Sequence, residues 1–293
     1  MINPILEREL KTRMRSWKTV MLLFGYLAIL GLVVAFAFFA ESNSYRYGAY
    51  GFDPTIVTGI YAGISMFQLG LLLFILPIFT ATSISGERER QTLDLLICTD
   101  FSPWKIIFGK MSAALSFVFL LVFAALPFTG VILLFGGVTI LDLIKIMLFY
   151  MATAFMVSSI GMFCTTHFKK NISSIVMSYI ILGAIFFIPL VILAVGAIIL
   201  SGQFANVAFV NFIETYIHEI FTLLFASNPY FGLSSLLSSN SFMSDILYGF
   251  NGVTSTSTTI LSKVEPWMAC LIFYSLFSSV MLFLAKRKLV KLK

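Results

Sequence analysis

Residues 20–40 read VMLLFGYLAILGLVVAFAFFA, twenty-one consecutive side chains without a charge, bounded by Lys18 and Glu41. At about 1.5 Å of helical rise per residue such a run reaches about 30 Å, the thickness of a bilayer's hydrocarbon core. A soluble helix keeps one polar face, and this run has none, so it belongs in lipid. Five further runs follow the same logic, at 56–84, 110–136, 146–164, 172–200 and 267–285. The composition of the 293 residues agrees, with 59% hydrophobic and 11% charged residues. Soluble chains carry about 25% charged residues, and a mean hydropathy of +1.00 leaves too little polar surface for solubility. Intrinsic disorder is excluded by the 32 Phe, 11 Tyr and 3 Trp, and three scattered cysteines, Cys98, Cys164 and Cys270, make no disulfide framework. The sequence predicts an all-α integral membrane protein with six transmembrane helices forming a single domain over 1–293.

Basic residues fix the expected direction of insertion. With the N-terminus inside, residues 1–19, 86–110, 165–171 and 286–293 hold 16 of the 19 Lys and Arg, leaving Arg46, Lys145 and Lys263 outside. The positive-inside rule then places both termini in the cytoplasm. The net charge of +6 is accounted for by this asymmetry and gives no argument for nucleic-acid binding. No small-residue cleavage site closes the first apolar run, so it reads as a retained span and not a signal peptide. The expected location is a plasma membrane, most simply a bacterial one.

Several function classes are excluded. Each Asp, Glu, Lys and Arg can be placed in a loop, at an interface, or between the last two spans. An ion- or proton-coupled carrier normally keeps charge at membrane depth. No metal site emerges, since His167 and His218 fall on opposite sides of the membrane. The pair Gly109-Lys110 lacks the glycine five residues upstream that a phosphate-binding loop requires, so the chain is not expected to hydrolyse ATP. Ser, Thr and Cys without a nearby base do not make an intramembrane nucleophile.

Three segments outside the spans carry information. Residues 3–18 predict an interfacial helix with Asn3 as N-cap and Pro4 at its first position. Leu6, Leu10, Met14 and Trp17 share its apolar face, opposite Glu7, Arg8, Lys11 and Arg15. Residues 86–98 predict a transverse helix whose charged start, Glu87-Arg88-Glu89-Arg90, precedes an apolar patch of Leu93, Leu96 and Ile97. Thr99-Asp100-Phe101 break it, and Ser102-Pro103 open the next helix. Such an element is either a solvated connector or a docking knob for a cytosolic partner. Residues 201–265 are too apolar for a solvated loop. They predict helices dipping partway into the membrane from outside, with a seventh span within 204–227 as the competing reading.

The stretch Glu87-Arg88-Glu89-Arg90-Gln91-Thr92-Leu93-Asp94-Leu95-Leu96, then Thr99, Ser102, Lys105-Ile106-Ile107 and Gly109-Lys110, resembles the intracellular loop of ATP-binding-cassette type-2 permeases. Asn3-Pro4 with Glu7-Arg8-Glu9-Leu10 is similar to that family's amphipathic N-terminal helix. One departure is Gln91, where many members have glycine, which leaves the helical expectation over 86–98 intact. The resemblance implies the permease subunit of an ATP-driven exporter, with no cofactor in this chain and with ATP and Mg in a partner ATPase. It makes Glu87, Arg88, Glu89, Arg90, Thr92, Leu93, Asp94 and Leu96 the helix that couples to that ATPase. His167, Lys169 and Lys170 become a second cytoplasmic contact, and Leu6, Glu7, Leu10, Met14 and Trp17 mark the interfacial helix. Implied partners are two copies of a cytosolic ABC ATPase, a second permease subunit, identical or sister, and membrane lipid. The implied outer helices of 201–265 are re-entrant. The lack of buried charge suits an apolar or amphipathic cargo such as a peptide, a lipid-like molecule or a drug. A membrane scaffold or immunity-type protein would share the topology without needing an ATPase.

Overall fold

The computed structural model describes residues 7, 11, 16–45, 54–92, 102–134, 138–201, 225–237 and 266–290. The described residues form helices α1 (Trp17–Tyr45), α2 (Pro54–Ala81), α3 (Ser85–Glu89), α4 (Pro103–Ala124), α5 (Leu126–Leu134), α6 (Ile140–His167), α7 (Asn171–Ser201), α8 (Pro229–Leu237) and α9 (Pro266–Val290). Six spans among them are long and apolar enough to cross a membrane, the third being α4 and α5 together. The expected spans are therefore present, most of them with longer ends than their apolar cores suggested. The chain divides into two compact units, Met1–Tyr179 with Ser278–Lys293, and Ile180–Phe277.

In the first unit α2 and α6 make the central pair. They approach so closely at Gly161 that a Cβ there would lie 1.9 Å from Thr80 Oγ1 and 3.1 Å from the backbone nitrogen of Ala81. Small residues at such crossings let backbones gain van der Waals contact that lipid cannot supply. Farther along the same pair, the Tyr150 hydroxyl donates to the Ser65 carbonyl at 2.8 Å. A cavity of about 20 Å³ beside it is lined by Ser65, Gln68 and Thr129, among others. The third span is not one rod: a turn at Ala125 separates α4 from α5, two residues before Pro127, whose missing N–H removes a helical donor. At the far end of α6, Thr139 and Asp142 form a reciprocal capping box, with Thr139 N donating to Asp142 Oδ2 at 3.1 Å and Asp142 N to Thr139 Oγ1 at 3.3 Å.

In the second unit Asn228 opens α8, its Oδ1 accepting from Tyr230 N at 3.0 Å with Pro229 at the first helical position. Phe231 packs tilted against Phe225 at 5.2 Å, and Phe186 meets Tyr230 edge-on at 5.7 Å. This helix is one short helix within the 201–265 segment. Residues 202–224 and 238–265, and with them what would separate the two readings of 204–227, lie outside the described residues.

Candidate functional site

The charged segment after α2 folds onto four other helices of the first unit. Ser83 Oγ donates to Thr80 O at 2.7 Å as the chain leaves α2. The opening N–H groups of α3 have no cap from Ile84. Thr165 on α6 supplies one from about 80 residues away: its Oγ1 accepts from Ile84 N at 3.0 Å and Ser85 N at 2.8 Å. Orphan donors at a helix start must find an acceptor somewhere, and here a neighbouring helix provides it. Ser85 Oγ lies 2.6 Å from Asn171 Oδ1 and 2.9 Å from Ala81 O, two acceptors competing for one proton.

Lys110, in the second turn of α4, is the centre of this joint. Its side chain is 1% exposed, and its Nζ donates to Glu87 Oε1 at 2.8 Å and to Ser83 O at 3.0 Å. A buried ammonium without such partners would be untenable. Glu89 reaches the opposite way and receives Asn171 N and Asn171 Nδ2, both at 2.7 Å, placing a carboxylate at the start of α7 where the helix dipole favours it. Arg88 Nη1 donates to Phe168 O at 3.2 Å, tying α3 to the turn between α6 and α7. Glu87 Oε2 and Arg88 Nη2 are buried without hydrogen-bond partners. Below the polar layer Ile84, Ile106, Ile107, Met111, Met162, Leu282, Ala285 and Leu289 form one apolar cluster, which brings the end of α9 into the same joint.

The expectation of one helix over 86–98 is corrected. The α-helix ends at Glu89, and Gln91 takes φ of +57°, in the left-handed region. Gln91 N donates to Arg88 O at 3.1 Å and Thr92 N to Glu87 O at 2.9 Å, the two bonds of a Schellman ending. The position where many members of the resembled family have glycine is thus a helix terminator, because glycine enters that region without a Cβ penalty. Arg90, Gln91 and Thr92 are exposed beyond it. Leu93, Asp94 and Leu96 lie outside the described residues.

The other expected residues divide similarly. His167 closes α6 exposed, its Nδ1 donating to Phe163 O at 3.0 Å, and Lys169 and Lys170 are exposed in the following turn. The Arg88 bond to Phe168 O thus joins the described part of the α3 turn to the turn that carries His167, Lys169 and Lys170. Of the interfacial helix, Glu7 and Lys11 are helical and paired at 2.7 Å. The hydrogen bond from Lys11, and then its charge, hold the Glu7 carboxyl below its ordinary value. Leu6, Leu10 and Met14 lie outside the described residues. Trp17, expected on that helix, instead opens α1 directly after the non-helical Ser16 and is 77% exposed.

Sequence reasoning missed the partners. Lys110 was assigned to a span boundary, although a lone lysine seven residues into an apolar helix needs a counter-charge. Asn171, directly after two lysines at a span start, carried the signature of a helix opening. Thr165 gave no signal, since nothing in its neighbourhood distinguishes it from other small polar residues on α6. Among the described residues no group of three His, Cys, Asp or Glu could hold a metal ion. The arrangement is a stiff polar joint that fastens one short exposed turn to the ends of several membrane helices.

The curated proteins contain no match to this chain. The family model described as ABC-2 family transporter protein matches residues 3–286, nearly the whole length and including all the hydrogen-bonded residues of the joint. With six apolar spans and a knob of charged side chains locked to their ends, the chain belongs to the ABC-2 transporter family, as a multi-pass permease subunit of an ABC transporter.

Proposed function

We propose that this chain is the permease half of an ATP-driven exporter in a bacterial plasma membrane, with both termini cytoplasmic and the α3 turn facing the cytosol. A separate cassette ATPase, in two copies and carrying the ATP and Mg, docks on Arg90, Gln91, Thr92, His167, Lys169 and Lys170, with Glu87, Arg88 and Glu89 forming the support behind them. A second permease subunit, identical or sister, completes the path. The observation that carries this reading is the joint itself. Lys110, Thr165 and Asn171 bind one exposed turn to α4, α6 and α7, so a push on that turn reaches three spans at once. Closure of the ATPases would supply the push. The cargo is apolar or amphipathic, because the charged residues of the described spans sit near helix ends, Lys110 with its counter-ion. Charge at membrane depth would be needed to carry an ion.

The test is purification from native membranes in mild detergent with a photo-crosslinking residue in place of Arg90 or Lys169. A stoichiometric cassette ATPase crosslinked at both positions is the expected result. Recovery of the intact chain with no ATPase, under conditions that preserve other ABC complexes, overturns the proposal and favours a non-transporting scaffold.

A further inference from the structure

Gln68 stands at the middle of α2, about 20 Å from either end at helical rise, and both it and Ser65, one turn earlier, are buried. Amide and hydroxyl groups at such depth are costly unless they find partners. These two side chains line the cavity of about 20 Å³ in the first unit, together with Tyr61 of α2, Thr129 of α5 and Tyr150 of α6. The break in the third span lines it too, through Ala125 and Leu126. Interrupted backbone at membrane depth persists only where protein or water covers it. Buried polar groups, a broken helix and a small space therefore coincide in the interior of the membrane.

From this coincidence we infer that the cavity is a binding site for one water molecule, held by Gln68 and Thr129 between α2 and the broken third span. A buried water needs about 10–15 Å³ and two to four polar partners, and the cavity offers both. Gln68 carries an amide donor and a carbonyl acceptor. Thr129 Oγ1 gives its proton to Leu126 O at 3.0 Å, which leaves the same oxygen able to accept. Cavities that stay dry are lined by apolar side chains, whereas five residues of this lining carry a hydroxyl or an amide. An acyl chain in the same place would offer those groups no hydrogen bond. A water bridge is nearly as favourable as a direct hydrogen bond, and this one ties the third span to α2 where the span's own helix is interrupted. The inference is independent of the ATPase and of the cargo.

The experiment is X-ray radiolytic labelling of the full chain in lipid nanodiscs, read residue by residue by mass spectrometry. Hydroxyl radicals formed from a bound water modify the side chains that touch it and spare buried ones that touch none. Tyr61 and Tyr150 are 4% and 2% exposed, and Phe149 and Met156, which do not line the cavity, are buried as deeply. Tyr61 and Tyr150 should be labelled several-fold faster than Phe149 and Met156. Gln68→Met with Thr129→Val keeps the size of both side chains but removes their hydrogen-bonding groups. It should cut the labelling of Tyr61 and Tyr150 several-fold and leave Met156 unchanged. Labelling of the two tyrosines no faster than that of Phe149 and Met156 overturns the inference, and that comparison needs no variant to fold. Undiminished labelling in the double variant would take the water away from Gln68 and Thr129 and also overturn it. Fast labelling of all four residues would mean general entry of solvent, a third refuting result.

Discussion

Replacing Lys110 by Met tests whether the joint is held by its buried ion pair. At 2.8 Å and an effective dielectric of about 20, the gross attraction between Lys110 and Glu87 is about 6 kcal/mol. Most of this is offset by the desolvation both groups suffer on burial. The substitution removes the attraction but not the burial of Glu87, whose Oε2 already lacks a partner. Glu87 keeps 22% side-chain exposure, so the loss should fall below the 3–5 kcal/mol typical of a fully buried broken pair, at about 2–3 kcal/mol. The double variant Lys110→Met with Glu87→Leu removes both charges and should cost under about 1 kcal/mol, well below the sum of the two single variants. The assay is thermal unfolding in mild detergent, followed by intrinsic tryptophan fluorescence. The single variant should lower the midpoint by about 5–10 °C, and the double variant should recover most of that. A single-variant shift under about 2 °C, or a double variant that falls by the sum of the two singles, would refute the reasoning.

Four other outcomes follow from the structure. Gln91→Gly should stabilise the α3 ending by about 0.5–1 kcal/mol, since glycine relieves the left-handed strain, while Gln91→Val should destabilise it; limited proteolysis across 88–92 reads both. Gly161→Ala places a Cβ on Thr80 and should lower stability by about 2–3 kcal/mol, and Gly161→Ala with Thr80→Ala should return part of it in the same fluorescence assay. Glu89→Gln removes the charge at the start of α7 and should cost about 0.5 kcal/mol, seen as faster hydrogen exchange of the Asn171 amide. The Glu7 carboxyl is depressed, so its bond to Lys11 is present above the ordinary carboxylate value and lost as pH falls through the lower folded one. Carbon-detected NMR should show Glu7 titrating lower in the native chain than in Lys11→Ala; coincident titration would count against the pair.

The six spans were legible because apolar run length is a property of single segments. A window of twenty uncharged residues needs no partner to be interpreted. The joint was legible only in part, since its charged half, Glu87 to Arg90, stands out in composition whereas its receiving half does not. Thr165 and Asn171 matter through contacts spanning more than eighty residues, and no local pattern announces such a meeting. Gln91 shows a different obstacle. Its neighbours are good helix formers, and local propensity extended the helix through it, but the backbone reverses there to satisfy two carbonyls at once. The glycine usual at that position in the resembled family suits a terminator, and the left-handed backbone at Gln91 supplies the reason. Lys110 was placed at a boundary because lysine is seldom buried, a tendency overcome here by a carboxylate from another segment.

The bond between Glu89 and the start of α7 joins residues 82 apart in sequence, and this has a consequence for how the chain is made. At about 5–20 residues per second, Asn171 leaves the ribosome roughly 4–16 seconds after Glu89. During that interval the charged turn is already synthesised while its receptor is not. A nascent chain stalled between these points would present Glu89 and the Phe168-seeking Arg88 unsatisfied, a mark by which a membrane protease or insertase could tell an unfinished permease from a finished one.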